Sequence, residues 1–237
     1  MALSEITSPH NEALKEVRKL AGRRWRDKLG AFVAEGEDLL EAADAAGWHA
    51  TVRYVASGSG LTGVPVAPHV LASVSQLGSG TRALGVYPQR WSPPAGPLCV
   101  ALWGVHDPGN VGTIIRSALA FGASSVALGP GSADPYSHKA VRASMGALFS
   151  VPLARVRSPQ ELPGRRIALA ARAGEPLHEI PGGEVTLVVG AEREGLPDEV
   201  LAACDAVAHI PIAHADSLNA AMAATVALYD LTRITRP

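Results

Sequence analysis

Three short segments in the C-terminal half of the chain place polar residues or glycine at the edge of apolar runs. They read NVGTIIR (110–116), VVGAE (188–192) and IPIAHADSLN (210–219). Amides, a carboxylate, a hydroxyl and a guanidinium can together orient a hydroxyl group and stabilise developing charge. A glycine at the end of a strand lets a ligand approach the backbone. Taken singly, each segment fits helix capping and surface turns as well as it fits a reaction site.

The first segment follows a tight turn, Asp107-Pro-Gly-Asn110, and Asn110 is predicted as a helix N-cap. Arg116 lies six residues further, about 600° of helical rotation, so it points about 120° away from Asn110. It is the only charged residue between Asp107 and Asp134. Two interpretations remain open. Asn110 and Arg116 are either a helix cap and a surface residue, or two residues of a functional site.

The second segment ends an apolar strand at Gly190, and Glu192 follows in a charged loop. That loop is either a solvated turn or the position of a functional carboxylate. In the third segment, Asp216 or Ser217 is predicted as a helix N-cap, which puts Asn219 in the first turn. Capping alone is the alternative explanation for these polar residues.

The elements that carry these segments alternate between strand and helix. Strands are predicted at 98–103, 125–128, 167–171, 185–190 and 207–211, and helices at 111–121, 138–149, 197–203 and 217–232. This alternation predicts a parallel sheet with helices on both faces. Because ligands bind at the carboxyl ends of such strands, the three segments should meet at one edge of the sheet.

A domain boundary is predicted at 92–97, where three prolines and a glycine occur in six residues. We read 1–91 as a smaller α/β domain, 92–97 as a linker and 98–237 as the larger α/β domain. The smaller domain should begin with one basic helix at 11–29. Strands at 32–36, 51–56 and 83–87 and helices at 37–46 and 70–77 should follow.

Composition limits the class of protein. The chain has 237 residues, 47% of them hydrophobic and 18% charged, which supports a real core. We find no phosphate-binding GxxxxGK[ST] or GxGxxG, no HExxH, no paired-Cys zinc motif and no GxSxG, so no metal site is predicted. Cys99 and Cys204 are predicted to be reduced, buried thiols. Without a signal-peptide layout or an apolar run of about 20 residues, the protein is expected to be soluble and cytoplasmic.

Four stretches together resemble the SpoU (TrmH) branch of the SPOUT RNA methyltransferases. They are NVGTIIRSALAFGA (110–123), DPYSHKAVRASMGALFSVPL (134–153), LVVGAEREGLP (187–197) and IPIAHADSLNAAMAATVALYD (210–230). More loosely, ITSPHNEALKEVRKL (6–20) and AFVAEGEDLL (31–40) look like the RNA substrate-binding domain often fused in front of that catalytic domain. The loop at 214–216 departs from the family pattern, because it is more acidic than usual.

The resemblance implies a parallel α/β sheet with a deep C-terminal trefoil knot, S-adenosylmethionine (AdoMet) as cofactor, and a homodimer formed through the knotted regions. The implied reaction is methylation of a ribose 2′-hydroxyl, and the N-terminal domain favours ribosomal RNA of the large subunit as substrate. A transfer-RNA methyltransferase and a non-catalytic RNA-binding ribosome-assembly factor are the alternatives. The apolar positions Leu218, Met222, Val226 and Tyr229 of the last helix fit either the dimer interface or the core.

The resemblance also implies roles for individual residues. The implied catalytic residues are Arg116, Asn110, Glu192, Ser217 and Asn219, and the implied cofactor-binding residues are Gly190, Ala191, Ile210, Pro211, Ile212 and Leu218. RNA contacts are expected from Lys15, Arg18, Lys19, Arg23, Arg24, Arg26, Lys139 and Arg142. Residues 10–30 carry seven cations against three carboxylates, although the whole chain has a net charge of −1. Because a guanidinium stays protonated, Arg116 is expected to hold phosphate or alkoxide charge rather than act as a base.

Overall fold

The computed structural model describes residues 4–77, 80–180, 183–214 and 217–234. The N-terminal part is built on a four-stranded sheet in the order β1-β4-β2-β3, in which β1 and β2 pair antiparallel with β4. Its elements are α1 (Glu12–Lys19), α2 (Arg23–Leu29), β1 (Ala31–Glu35), α3 (Glu37–Ala45), β2 (Val52–Ala56), β3 (Val64–Val66), α4 (Pro68–Ala72) and β4 (Ala83–Pro88).

The single basic helix predicted at 11–29 is wrong, because two helices occupy this segment. Helix α1 ends at Lys19, and Gly22, with an extended backbone, precedes α2. The buried guanidinium of Arg26 explains the break: its Nη1 donates to the carbonyls of Leu20 (2.8 Å) and Ala21 (2.7 Å). An inward-facing arginine therefore holds the turn that separates the two helices.

The C-terminal part carries a seven-stranded sheet in the order β7-β6-β5-β10-β8-β11-β9, and every pair in it is parallel, as predicted. The central strands β5 and β10 are buried along their whole length, as apolar parallel strands are. The elements are β5 (Leu98–Leu102), α5 (Pro108–Ala120), β6 (Ser125–Leu128), α6 (His138–Ala143), β7 (Leu153–Arg155), β8 (Arg165–Ala170), β9 (Glu175–Pro176), β10 (Val185–Val189), α7 (Asp198–Ala202), β11 (Ala206–His209) and α8 (Ala220–Ile234).

Several element boundaries differ from the sequence-based expectation. The short strands β3, β7 and β9 were not predicted. The helix predicted at 138–149 ends at Ala143, because Met145 and Gly146 adopt left-handed backbone angles (φ 49° and 87°), and a 3-10 turn follows at Ala147–Phe149. Within the described residues, no helix has the length and apolar character needed to cross a bilayer.

One of the three hydrophobic clusters formed by the described residues spans both parts. Phe32 and Trp48 of the N-terminal part pack in the same cluster as Tyr136 and Phe149 of the C-terminal part. The rings of Phe32 and Tyr136 lie 4.7 Å apart, and Trp48 Nε1 donates to the Phe149 carbonyl at 2.8 Å. The junction is therefore packed like an interior, which fixes the N-terminal part relative to the larger sheet.

Candidate active site

A cavity of about 370 Å³ opens where β8, β10 and β11 end. Five of the six predicted cofactor-binding residues line it: Gly190, Ala191, Ile210, Ile212 and Leu218. Pro211 is exposed and is not among the residues that line the cavity, so its part in cofactor binding stays a prediction.

Gly190 is required by a close approach of the protein's own backbone. The loop after β10 folds back, with Ala191 and Gly195 exchanging two backbone hydrogen bonds of 3.0 and 3.1 Å. A Cβ on Gly190 would lie 2.4 Å from the carbonyl carbon of Gly195 and 2.7 Å from the nitrogen of Leu196. Gly190 therefore shapes the cavity by admitting the 191–196 loop, which forms much of the wall.

A chain of side-chain hydrogen bonds joins the three sequence segments beside this cavity. Asn110 Nδ2 donates to Glu192 Oε1, and Asn219 Nδ2 donates to Asn110 Oδ1 at 3.1 Å. The oxygen of Asn219 accepts from the backbone of Ala221 and Met222, which leaves its amino group to face Asn110. The amide of Asn110 thus holds the Glu192 carboxylate in one orientation.

Two of the helix caps predicted from the sequence are wrong. The observed cap of α5 leaves the side-chain amide of Asn110 free to bind Glu192. Asp107, not Asn110, caps α5: its Oδ1 accepts from Gly109 N (2.6 Å) and Asn110 N (3.1 Å). With Pro108 opening the helix, Asn110 falls in the first turn. Lys139 Nζ binds Asp107 Oδ2 at 2.7 Å, and this contact lowers the pKa of the Asp107 carboxyl.

The cap of α8 is Asn219, whose Oδ1 accepts from the nitrogens of Ala221 (2.9 Å) and Met222 (3.3 Å). Ser217, which was predicted as a possible cap, instead lines the cavity. The other predicted cap, Asp216, lies outside the described residues. Asn219 therefore has two functions, since one end of its amide starts the last helix and the other end contacts Asn110.

Arg116 is not joined to this network. Its side chain is exposed, and it forms no hydrogen bond or ion pair with any part of the chain that the structure describes. At 1.5 Å per residue, it lies about 9 Å along α5 from Asn110. The structure thus brings together Asn110, Glu192 and Asn219 and leaves the guanidinium free at the surface.

The predicted RNA-binding residues divide into three groups. Exposed positions are taken by Lys15, Lys19, Arg23, Arg24, Lys139 and Arg142. Arg18 is half-buried and donates to the Pro9 carbonyl (2.7 Å) and Ser73 Oγ (3.0 Å). Arg26 is wrong as an RNA contact, because its side chain is buried and ion-paired with Asp134 at 2.7 Å.

Sequence reasoning missed part of the cavity wall. Leu169, Ala170 and Ala171 line it from the end of β8, and Leu201 contributes from α7. The rule that ligands bind at the carboxyl ends of strands could have identified 169–171, since a strand was predicted there.

Both cysteines are free, and desolvation raises the pKa of Cys204 to about 11.

Two family models match this chain. Residues 97–229 match the SpoU rRNA Methylase family, and residues 11–78 match the MRM3-like substrate binding domain. A similar protein of Bacillus subtilis, the 23S rRNA (guanosine(2553)-2′-O)-methyltransferase RlmP, is 30% identical over 97% of this chain and 99% of its own length. The 23S rRNA (uridine(2479)-2′-O)-methyltransferase of Streptomyces viridochromogenes is 40% identical over 54% of this chain and 49% of its own.

Solved structures show the same fold. The AdoMet-bound rRNA methyltransferase of Sinorhizobium meliloti superposes with a TM-score of 0.89 and 32% identity, and each chain covers 100% of the other. AviRb of Streptomyces viridochromogenes, in complex with AdoMet, gives a TM-score of 0.86 at 27% identity, over 94% of this chain and 98% of its own. With the family model spanning more than half of its length, this chain belongs to the SpoU rRNA methylase family.

Proposed function

We propose that this protein transfers the methyl group of AdoMet to a ribose 2′-hydroxyl in ribosomal RNA. One observation carries the proposal: Glu192, on the wall of a cofactor-sized cavity, is held by Asn110, which in turn accepts from Asn219 beside the cavity. Full-length similarity to RlmP supports ribosomal RNA as the substrate. The AdoMet complex of the Sinorhizobium meliloti protein supports the choice of cofactor.

The cavity fits AdoMet in size and in chemistry. Its volume of about 370 Å³ lies within the range of small-molecule sites, which begins near 300 Å³. Apolar side chains from Leu169, Ile210 and Leu218 can contact an adenine ring, while the backbone around Gly190 and Ala191 can bind its polar edges. AdoMet supplies an electrophilic methyl group on a sulfonium ion.

The side chains of this chain orient the acceptor hydroxyl and stabilise charge. Glu192 Oε1 is occupied by Asn110, so Oε2 is the oxygen that can accept a hydrogen bond from the ribose hydroxyl. Ser217, on the cavity wall, can donate to the substrate. We assign the Arg116 guanidinium to the phosphate next to the ribose, where it stabilises the negative charge that develops on the 2′-oxygen as the hydroxyl proton passes to water or to a phosphate oxygen.

We also propose a homodimer formed through α5 and α8. Leu119, Met222, Val226 and Tyr229 are large apolar side chains that these neighbouring helices expose. Helices α5 and α8 are joined by the Ser117–Thr225 hydroxyl contact of 2.6 Å, so these side chains lie on adjoining helices. An exposed apolar patch of this kind is typical of an interface. Val226→Asp should convert the dimer to a monomer in light scattering.

The family fold further suggests that the segment before α8 passes through a loop as a trefoil knot. An experimental backbone trace that stays knotted when both ends are extended would support this topology. Residues 1–91 are proposed as the domain that delivers RNA to the site, and the cytoplasm as the compartment. Replacing the exposed cations Lys15, Arg23 and Arg24 of this domain with glutamine should weaken RNA methylation and leave AdoMet binding intact.

The central experiment measures transfer of radiolabelled methyl groups from AdoMet to RNA. Large-subunit ribosomal RNA should be labelled, and hydrolysis mapping should place the label on a ribose. Asn110→Ala should lose transfer while binding AdoMet in calorimetry. Label in transfer RNA alone would support the tRNA alternative, and absence of AdoMet binding would support a non-catalytic RNA-binding protein.

A further inference from the structure

Trp25, on α2, lies outside the cores of the protein. It is half-exposed and is absent from the three apolar clusters formed by the described residues. By contrast, Trp48, Trp91 and Trp103 all pack in or against one of these clusters. The Trp25 indole N–H has no acceptor among the described residues, whereas Trp48 and Trp91 both donate hydrogen bonds. A large aromatic ring without a core contact is a feature of binding surfaces.

Cations surround the Trp25 ring. Lys19 Nζ lies 5.1 Å and Lys28 Nζ 5.0 Å from its centroid. Neither these lysines nor Arg24 forms an ion pair within the part of the chain that the structure describes. With Arg26 neutralised by Asp134, helices α1 and α2 and their flanks still carry six cations against three carboxylates, although the chain as a whole has a net charge of −1.

This surface has the chemistry that binds unpaired nucleotides. Leu29, one helical turn from Trp25, is 41% exposed, so aromatic and apolar surface adjoins the ammonium groups. Single-stranded RNA presents flat bases and a polyanionic backbone, and proteins bind it with aromatic rings that stack on bases and cations that contact phosphates. Base-paired RNA would offer the phosphates without an accessible base.

Two ion pairs hold α2 against the catalytic part of the chain. Arg26 binds Asp134 at 2.7 Å, and Asp27 accepts from Arg155 at 2.8 Å. Asp134 lies five residues before Lys139 in the chain. Lys139 binds Asp107, and Asp107 caps α5, the helix that carries Asn110. A base stacked on this helix would therefore be held at a fixed distance from the reaction site.

We propose that an unpaired base of the RNA substrate stacks on Trp25 in place of the ammonium groups over its ring, and that Lys19 and Lys28 then bind the flanking phosphates. The inference rests on the proposed function, because it takes RNA as the substrate. It adds a contact outside the catalytic site. Since that contact is the same before and during the reaction, it raises affinity without altering the chemical step.

Binding of a single-stranded RNA of about ten nucleotides, with a blunt duplex of equal length for comparison, tests the proposal. The single strand should quench tryptophan fluorescence, and Trp25→Phe should lose that quenching while retaining most of the affinity. Trp25→Ala should weaken binding roughly 5- to 150-fold, the range of base–aromatic stacking. Trp91→Phe is the matched control, because Trp91 also lies under a cation, Arg155, but packs against the core.

Lys19→Gln and Lys28→Gln should each reduce the slope of log affinity against log salt by about 0.7. Trp25→Ala should bind AdoMet as the wild type does, which verifies folding, and should raise KM for RNA with unchanged kcat. The proposal would be overturned if Trp25→Ala bound RNA as tightly as the wild type, or if the duplex quenched fluorescence as much as the single strand. It would also be overturned if Trp25→Ala lost methyl transfer only when ribosomal proteins were present. If the wild type binds RNA with quenching but transfers no methyl group, the proposed function fails and this inference stands.

Discussion

Replacing Gly190 with alanine tests whether the cofactor cavity depends on the loop that folds back onto β10. The new Cβ would lie 2.4 Å from the Gly195 carbonyl carbon, whereas ordinary contacts begin at 3.4 Å. The atoms it meets are backbone, so they cannot rotate away. The loop must therefore retreat by about 1 Å, a displacement that can lower the efficiency of a site about 100-fold.

The expected cost in stability follows from the same contacts. Retreat of the loop breaks the two backbone hydrogen bonds between Ala191 and Gly195. At about 0.5–1.5 kcal/mol each, their loss should lower the free energy of unfolding by about 1–3 kcal/mol. We expect the dissociation constant for AdoMet to rise and the rate of methyl transfer to fall about 100-fold, because residues 190–196 form one side of the cavity.

Calorimetry with AdoMet and urea unfolding measure the two effects. Gly195→Ala is the matched control in the same loop: Gly195 has φ +69°, but an added Cβ would meet nothing within 4 Å. Its cost should be the backbone strain alone, about 1–2 kcal/mol, with a smaller loss of AdoMet affinity. Binding by Gly190→Ala within roughly threefold of the wild type, less than 1 kcal/mol, would refute the steric argument.

Three further predictions concern the contacts that hold the site and the fold. Arg26→Met should cost about 3–5 kcal/mol in urea unfolding by leaving Asp134 buried and unpaired, and the added change Asp134→Leu should recover much of that loss; a cost below about 1 kcal/mol would contradict the buried pair. Asn110→Ala should lower kcat for methyl transfer with little change in AdoMet affinity, and a change confined to AdoMet affinity would argue against its orienting role. The Arg166 hydrogen bond lowers the pKa of Asp205 from 3.8 to about 2. This pair therefore stabilises the fold above pH 4, and its stabilisation is lost as the pH falls from about 4 to 2. Asp205→Asn should flatten that part of an acid-unfolding curve.

The sequence predicted the catalytic sheet better than it predicted local caps and breaks. Apolar strands alternating with helices correctly indicated a parallel sheet, since period and length are local properties. The caps depended on contacts that the pattern does not contain. Asp107 displaced Asn110 as the cap because Pro108 opens the helix. Arg26 divided the basic helix because its guanidinium turns inward to the carbonyls of Leu20 and Ala21 and to Asp134, a partner 108 residues away that no local pattern reveals.

By itself, the sequence determined which chemical groups are available and that they lie at strand ends, because strand direction and helix period follow from nearby residues. Only the tertiary structure decided which of those groups meet. It joined Glu192, Asn110 and Asn219 across as many as 109 residues and left Arg116 at the surface. It also showed that Gly190 makes room for the protein's own backbone. Long-range contacts depend on how whole elements pack, and no local pattern specifies that geometry.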